Sequence, residues 1–205
     1  YEKKIGDETA AEVDKEYVKV DNPDAITKLQ QIADDIGLAS DRPEVKYKIR
    51  LVHEKEPGPT PEVNAFSLPG GIVYVTEGLL KETQSEDELA GVLAHEISHN
   101  VTFDGLTQSE RAASIYKGEM AAVIAAVLVG GFDNPAWAQI MQAGELVRQG
   151  ILGGYSVKME TRADANAVRF LTKTRYNPVG LLTFMERLAA EERRNPPIEL
   201  GIYQT

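Results

Sequence analysis

Glu88-Leu-Ala-Gly-Val-Leu-Ala-His-Glu-Ile-Ser-His99 is the stretch on which the reading of this chain turns. Overlapping its start, Ser85-Glu-Asp-Glu88 places a Glu three positions after a Ser, ahead of the apolar residues Leu89, Val92 and Leu93. That is a capping-box pattern, and it predicts a helix that starts after Ser85 and runs to about Val101. Within it His95 and His99 stand at i and i+4 on one face, where both imidazoles can reach a single ion. Two neutral imidazole nitrogens suit zinc, which in a catalytic site takes three protein ligands and leaves a position for water. Glu96 lies about 100° around the helix from His95, so it points beside the ion rather than at it. A carboxylate there can take a proton from an attacking water molecule. Chance supplies about 0.004 matches to such a pattern in a chain of this composition, and this match uses two of only three histidines, so a metal site is expected.

Histidine supply then bears on the third ligand. His53 falls on a segment with strand periodicity and reads as a surface or packing residue, which leaves a carboxylate. Glu119 is one choice, but its surroundings (Gly118-Glu-Met-Ala-Ala) lack the expected partner residues. A third histidine six residues after the second is excluded, because position 105 is Gly. Glu160 fits better, on an inward stripe of Glu160, Ala163, Ala167, Val168 and Leu171 at helical spacing. A carboxylate on a buried stripe needs a partner, and a metal ion is a good one. Asp164 follows one turn later, placed to accept from a ligand imidazole N–H or to return a proton late in a reaction.

Outward from these residues the chain alternates helix and strand. Residues 5–20 and 22–39 read as two polar-rich helices broken at Asp21-Asn22-Pro23, and 45–53 alternates apolar and basic residues as a strand does. After a loop with Pro57, Pro59 and Pro61, Val63–Ser67 and Ile72–Val75 form a predicted strand pair about Leu68-Pro-Gly-Gly71. Beyond the motif helix, further helices are expected over 119–129, 136–150, 157–174 and 178–194, stopped by Gly and Asn-Pro signals. The predicted class is α+β, mostly helical, with a small sheet formed before the central helices. A single domain over 1–205 is expected, with N-terminal helices in 1–40, the sheet in 45–75, the motif helix in 85–101 and the third-ligand helix in 157–174. An extended peptide can add to an exposed sheet edge, and Asn64, Ala65, Phe66 and Ser67 are the expected substrate-binding edge.

Composition sets outer limits. The 205 residues are 42% hydrophobic and 26% charged, enough for a sizeable core. A net charge of −10 argues against nucleic acid as a partner and against attachment to anionic lipid by charge alone. Without cysteine there is no disulfide framework and no thiol nucleophile. The longest nearly uninterrupted apolar run, Met120 to Gly131, falls short of the about 20 residues a bilayer needs. It therefore reads as a buried helix, and no transmembrane span is expected. The chain starts at Tyr1 without an initiator Met or a leader pattern, so a mature or trimmed form is expected.

Several separate segments, in order, carry a resemblance. Asn64-Ala-Phe-Ser-Leu-Pro-Gly-Gly71, Val73-Tyr-Val75, Gly78-Leu-Leu80, the Glu88–His99 stretch and Glu160-Thr-Arg-Ala-Asp164 resemble peptidase family forty-eight of the metallopeptidases. That family includes HtpX-like heat-shock proteases, CAAX prenyl proteases and soluble periplasmic proteases of envelope quality control. The resemblance runs from about residue 5 to 190. It implies a gluzincin fold, one zinc ion per chain bound by His95, His99 and Glu160, and Glu96 as general base. It also marks Asp164 as the acid following the ligand Glu, assigned as proton donor in some relatives. The chain departs from the family in three places. Asp104 stands where many members carry a further His, and Ser156-Val157 replaces a Ser-Arg pair. The chain stops at Gln204-Thr205 before a His-Pro segment with its downstream Arg, as if the tail were truncated or lost.

The expectation is a zinc-dependent metalloendopeptidase acting on extended or unfolded polypeptide. The resemblance further implies an exported, periplasmic or cell-envelope setting in protein quality control. Tyr155, Arg162 and Tyr176 lie close enough in sequence to be considered for oxyanion contacts. The rival reading is a chaperone-like or latent zinc-binding assembly factor with little intrinsic proteolysis. Its support is the missing positive group at Val157 and the missing His at Asp104.

Overall fold

Residues 1–58, 60–107 and 155–194 are described by a computed structural model. Helices α1 (Glu2–Val13) and α2 (Pro23–Ala39) flank a short strand, β1 (Tyr17–Lys19). Asn22 caps α2 by accepting from the Ala25 N–H at 3.2 Å, and Pro23 opens the first turn, where its missing N–H is no loss. β1 corrects the expected helix over 5–20, and with it an all-helical 1–40. Tyr17, Val18 and Lys19 pair antiparallel with Glu54, His53 and Val52 of β2 (Lys48–Glu54), and the Tyr17 ring lies 5.8 Å from Phe66. Pairing and ring packing there override the helix preference of the surrounding Glu and Lys residues.

β2 runs parallel to β4 (Ile72–Thr76), and β3 (Ala65–Leu68) lies antiparallel on the far side of β4, giving the order β1-β2-β4-β3. The β3–β4 turn needs left-handed backbone at Gly70 (φ 82°) and Gly71 (φ 92°), which glycine adopts without penalty. Thr76 N–H donates to the Asn64 carbonyl (3.0 Å), so the alternation leaves the backbone groups of Ala65 and Ser67 facing away from β4, along the sheet edge. One sheet face buries Val52, Leu68, Ile72 and Tyr74 under Ala10 of α1. The other face buries Ile49, Leu51, Ala65, Val73 and Val75 in the main core with α2 and the central helices.

A short helix, α3 (Glu77–Glu82), leads into α4 (Glu86–Val101). Ser85 Oγ accepts from the Glu88 N–H at 3.2 Å, and the Glu88 carboxylate accepts from the Gln84 N–H at 2.8 Å, one residue earlier than a capping box has it. Every residue of α4 from Glu88 to Val101 is buried. Against α4 pack α5 (Val157–Leu171) and α6 (Val179–Arg194). The α4–α6 crossing is close because both sides carry glycine. A Cβ at Gly91 would stand 2.7 Å from the N and Cα of Leu181, and one at Gly180 would overlap the backbone of Asp87. α5 buries Ala163, Ala167, Phe170 and Leu171, whereas Val168 is 44% exposed, so Phe170 replaces it on the inward stripe. The chain is α+β and mostly helical. The expected helices over 119–129 and 136–150, the apolar run 120–131, Glu119, Pro59 and the C-terminal tail lie outside the described residues. No helix among the described residues is long and apolar enough to cross a membrane.

Candidate metal centre

His95 and His99 project from one face of α4 with their ring centroids 4.7 Å apart and their planes nearly perpendicular. The Nδ1 of each ring meets a carboxylate. His95 Nδ1 lies 2.8 Å from Asp164 Oδ1, and His99 Nδ1 lies 3.0 Å from Asp104 Oδ2. A carboxylate only accepts, so each Nδ1 is the protonated nitrogen and each Nε2 keeps its lone pair for a ligand. Those two Nε2 atoms stand 3.0 Å apart. Two lone pairs that close repel unless a cation sits between them or one nitrogen carries a proton.

Glu160, from the first turn of α5, completes the cluster. Its Oε2 lies 3.2 Å from His95 Nε2 and its Oε1 3.6 Å from His99 Nε2. One ligand atom from each of the three residues falls within 4.8 Å of the other two. Zinc bonds of about 2.0–2.1 Å in tetrahedral geometry put ligand atoms about 3.3 Å apart, close to these separations. Glu160 Oε2 is buried and accepts no hydrogen bond among the described residues. An orphaned buried carboxylate oxygen beside two imidazole nitrogens fits a bound zinc ion. Without an ion, burial opposes a charge on His95, but the Asp164 and Glu160 carboxylates outweigh it and push its pKa up to about 10. His53 takes no part, since it is exposed and its Nδ1 is engaged by the Glu54 carbonyl at 2.8 Å.

Glu96 is 4% exposed, and burial pushes its carboxyl above the usual range, against the pull of His95, His99 and the Ser67 N–H. Ser67 also donates its hydroxyl to the Glu96 carbonyl at 2.8 Å, tying β3 to α4 at this residue. The other residues of the expected edge divide. Ala65 joins the main core, and Phe66 turns to the opposite face, stacked 4.9 Å from Tyr74. Asn64 donates its side chain to Glu62 at 2.9 Å. Tyr155 stacks 4.0 Å from the His99 ring, and burial followed by the charges of Glu96, Asp104 and Glu160 raises its hydroxyl pKa. Arg162 reaches the cluster through Asp104. Tyr176 does not belong here. It donates to Asp35 of α2 at 3.0 Å, so its closeness to α5 in sequence does not carry into space.

Asp104 had stood out in the sequence only as a departure from a family pattern; here it is an acceptor for a histidine of the cluster. The local cause is Phe103, which follows the Thr102 C-cap of α4 in left-handed conformation (φ 58°) and folds the chain back. The Arg42 guanidinium lies 4.3 Å over the Phe103 ring. No sequence pattern announces a left-handed Phe.

Residues 23–202 match the family model described as peptidase family M48. The chain is 33% identical over 153 residues to the mitochondrial metalloendopeptidase OMA1 of Schizosaccharomyces pombe, covering 73% of this chain and 40% of that protein. It is 30% identical over 139 residues to the beta-barrel assembly-enhancing protease of Escherichia coli K12, covering 64% of this chain and 27% of that protein. A putative beta-barrel assembly-enhancing protease of Vibrio cholerae is 33% identical over 143 residues, covering 67% and 29%. The chain therefore spans well under half the length of these relatives.

Proposed function

The chain belongs to peptidase family M48, a metallopeptidase family, and from that premise we propose that it is a zinc-dependent endopeptidase cleaving extended or unfolded polypeptides. The observation that carries the reading is the pair of Nε2 atoms 3.0 Å apart, each ring fixed by a carboxylate on its Nδ1, with the buried Glu160 Oε2 3.2 Å from His95 Nε2. His95, His99 and Glu160 are the proposed ligands. Zinc held there supplies a Lewis acid for the scissile carbonyl and brings the pKa of a water molecule to about 7. Glu96, buried next to His95 on the motif helix, acts as general base. It takes the proton of the attacking water and returns it to the leaving amine. Asp164 and Asp104 hold the two imidazole rings in the ligating tautomer.

The sheet edge supplies the substrate's place. The backbone groups of Ala65 and the carbonyl of Ser67 face outward from β4, while the Ser67 N–H is turned to Glu96, so an extended peptide can lie along β3 by main-chain hydrogen bonds to the former. Phe66 is committed to Tyr74, so recognition at this edge is of backbone rather than of side chain. Residues 1–205 are taken as one catalytic domain. A place in envelope protein quality control belongs to the same proposal, supported by similarity to the beta-barrel assembly-enhancing proteases.

The deciding experiment compares degradation of casein by the wild type and by Glu96→Gln at equal, measured zinc occupancy. Cleavage by the wild type alone supports the mechanism. Equal cleavage by both proteins refutes Glu96 as base, and a zinc-loaded but silent wild type favours the binding or latent alternative.

A further inference from the structure

We propose that Arg162 is a positioning residue of the metal centre, acting through Asp104 to set His99 and to anchor the helix that carries Glu160. The inference rests on the reading of His95, His99 and Glu160 as a zinc site.

Asp104 is 1% exposed and takes three donors among the described residues. Its Oδ2 accepts from His99 Nδ1 at 3.0 Å and from Thr102 Oγ1 at 2.7 Å, while its Oδ1 accepts from the Arg162 guanidinium. The buried carboxylate finds its compensating charge in the Arg162 guanidinium. Four carboxylates (Glu96, Asp104, Glu160 and Asp164) surround the two histidines. Among the described residues, Arg162 is the one lysine or arginine paired with any of them.

The pair also joins two elements. Asp104 follows the end of α4, which carries His95 and His99, and Arg162 lies in α5 two residues after Glu160. One ion pair therefore ties the two-histidine end to the third ligand across 58 residues of chain. Arg162 is 44% exposed, so it reaches Asp104 from the rim, and among the described residues its hydrogen bond and ion pair go to Asp104 rather than to a proposed ligand. Its influence on the metal has to pass through Asp104 and through the placement of α5.

The test is zinc affinity of the full chain, measured with zinc alone by chelator competition, alongside the melting temperature of the metal-free protein. Arg162→Gln is expected to weaken zinc binding about 10–100-fold, the range for partners that orient metal ligands. Asp104→Asn is expected to fall in the same range. The double variant is expected to bind no more than about threefold more weakly than Asp104→Asn alone, because both changes break one linkage. Wild-type affinity in Arg162→Gln overturns the proposal, even with a lowered melting temperature, since that marks a purely structural arginine. Additive losses in the double variant overturn it as well. If Arg162→Gln does not fold, Arg162→Met keeps the aliphatic stem and carries the same comparison. A wild type that binds no zinc, or a His95→Ala variant that binds it equally well, instead defeats the zinc reading itself.

Discussion

Gly91→Ala tests whether the approach of α4 to α6 is as tight as described. The new Cβ would stand 2.7 Å from the N and Cα of Leu181 and 2.9 Å from its Cβ, against an ordinary contact of 3.4–4 Å. Two of the three obstructing atoms are backbone, so no rotamer change relieves them, and α6 must withdraw by about 1 Å. That withdrawal loosens Leu181, Phe184 and Leu188, which α6 buries in the main core. Overpacking of this kind costs about 1–3 kcal/mol, with backbone obstruction toward the upper end. Ala in place of Gly inside a helix returns about 1 kcal/mol. The net expectation is a loss of about 2 kcal/mol, or roughly 4–8 °C in melting temperature for a chain of this size. Scanning calorimetry of the metal-free protein reads it directly. Gly180→Ala is expected to act similarly, and the double variant to lose less than the sum, because one helix movement relieves both overlaps. A Gly91→Ala protein that melts at or above the wild-type temperature would show that α6 yields freely, and the packing argument would fall.

Three further outcomes are expected. His95 titrates at about 10 in the metal-free site against 6.5 ordinarily, burial opposing the charge and the Asp164 and Glu160 carboxylates prevailing. A raised folded-state pKa gives stability that is full below pH 6.5 and lost as pH rises toward 10. The metal-free melting temperature should therefore fall across that window, and apparent zinc affinity, which displaces the same proton, should rise about tenfold per pH unit; a flat affinity profile would contradict it. Asp164→Asn removes the anionic acceptor of His95 Nδ1 and should weaken zinc binding about 10–100-fold by chelator competition, with unchanged affinity counting against its orienting role. Ser85→Ala removes the N-cap of α4 and should cost about 1 kcal/mol, roughly 2–4 °C in melting temperature, with no effect on the chelator titration.

The parts of this molecule legible in its sequence are those whose cause is local. The cap at Ser85, the spacing of His95 and His99, the Asn22-Pro23 helix start and the Gly70-Gly71 turn each depend on neighbours within a few positions, and each appears where its pattern predicts. The α+β class followed from the same signals. What escaped depends on partners distant in sequence. Tyr17–Lys19 is a strand because β2 and the Phe66 ring meet it, a fact that no window around Glu16 contains. Val168 shares the helical spacing of the inward stripe, yet the neighbours of α5 cover Phe170 instead. Tyr176, close to α5 along the chain, is drawn to Asp35 on α2. The hydrogen bond between Asp104 and His99 hangs on one left-handed Phe, whose conformation no propensity favours.

The two ends of α4 are tied to different parts of the molecule. Near its start Glu88 pairs with Arg187 of α6 at 2.5 Å, and Asp87 accepts from the Asn177 N–H at 2.9 Å. At its end Asn100 donates to the Leu68 carbonyl at 2.5 Å, and its own carbonyl accepts from Arg42 at 3.3 Å. Between them Ser67 grips the carbonyl of Glu96. In mechanical language, α4 is a shaft held in bearings at both ends and steadied in the middle. A load on α6 or on the β3–β4 turn moves His95, Glu96 and His99 together, without altering their spacing along the shaft. Adjustment of the centre to substrates of different shape then falls to the joint between α4 and α5, which Glu160, Asp164 and Asn166 cross to meet His95, His99 and Ser98.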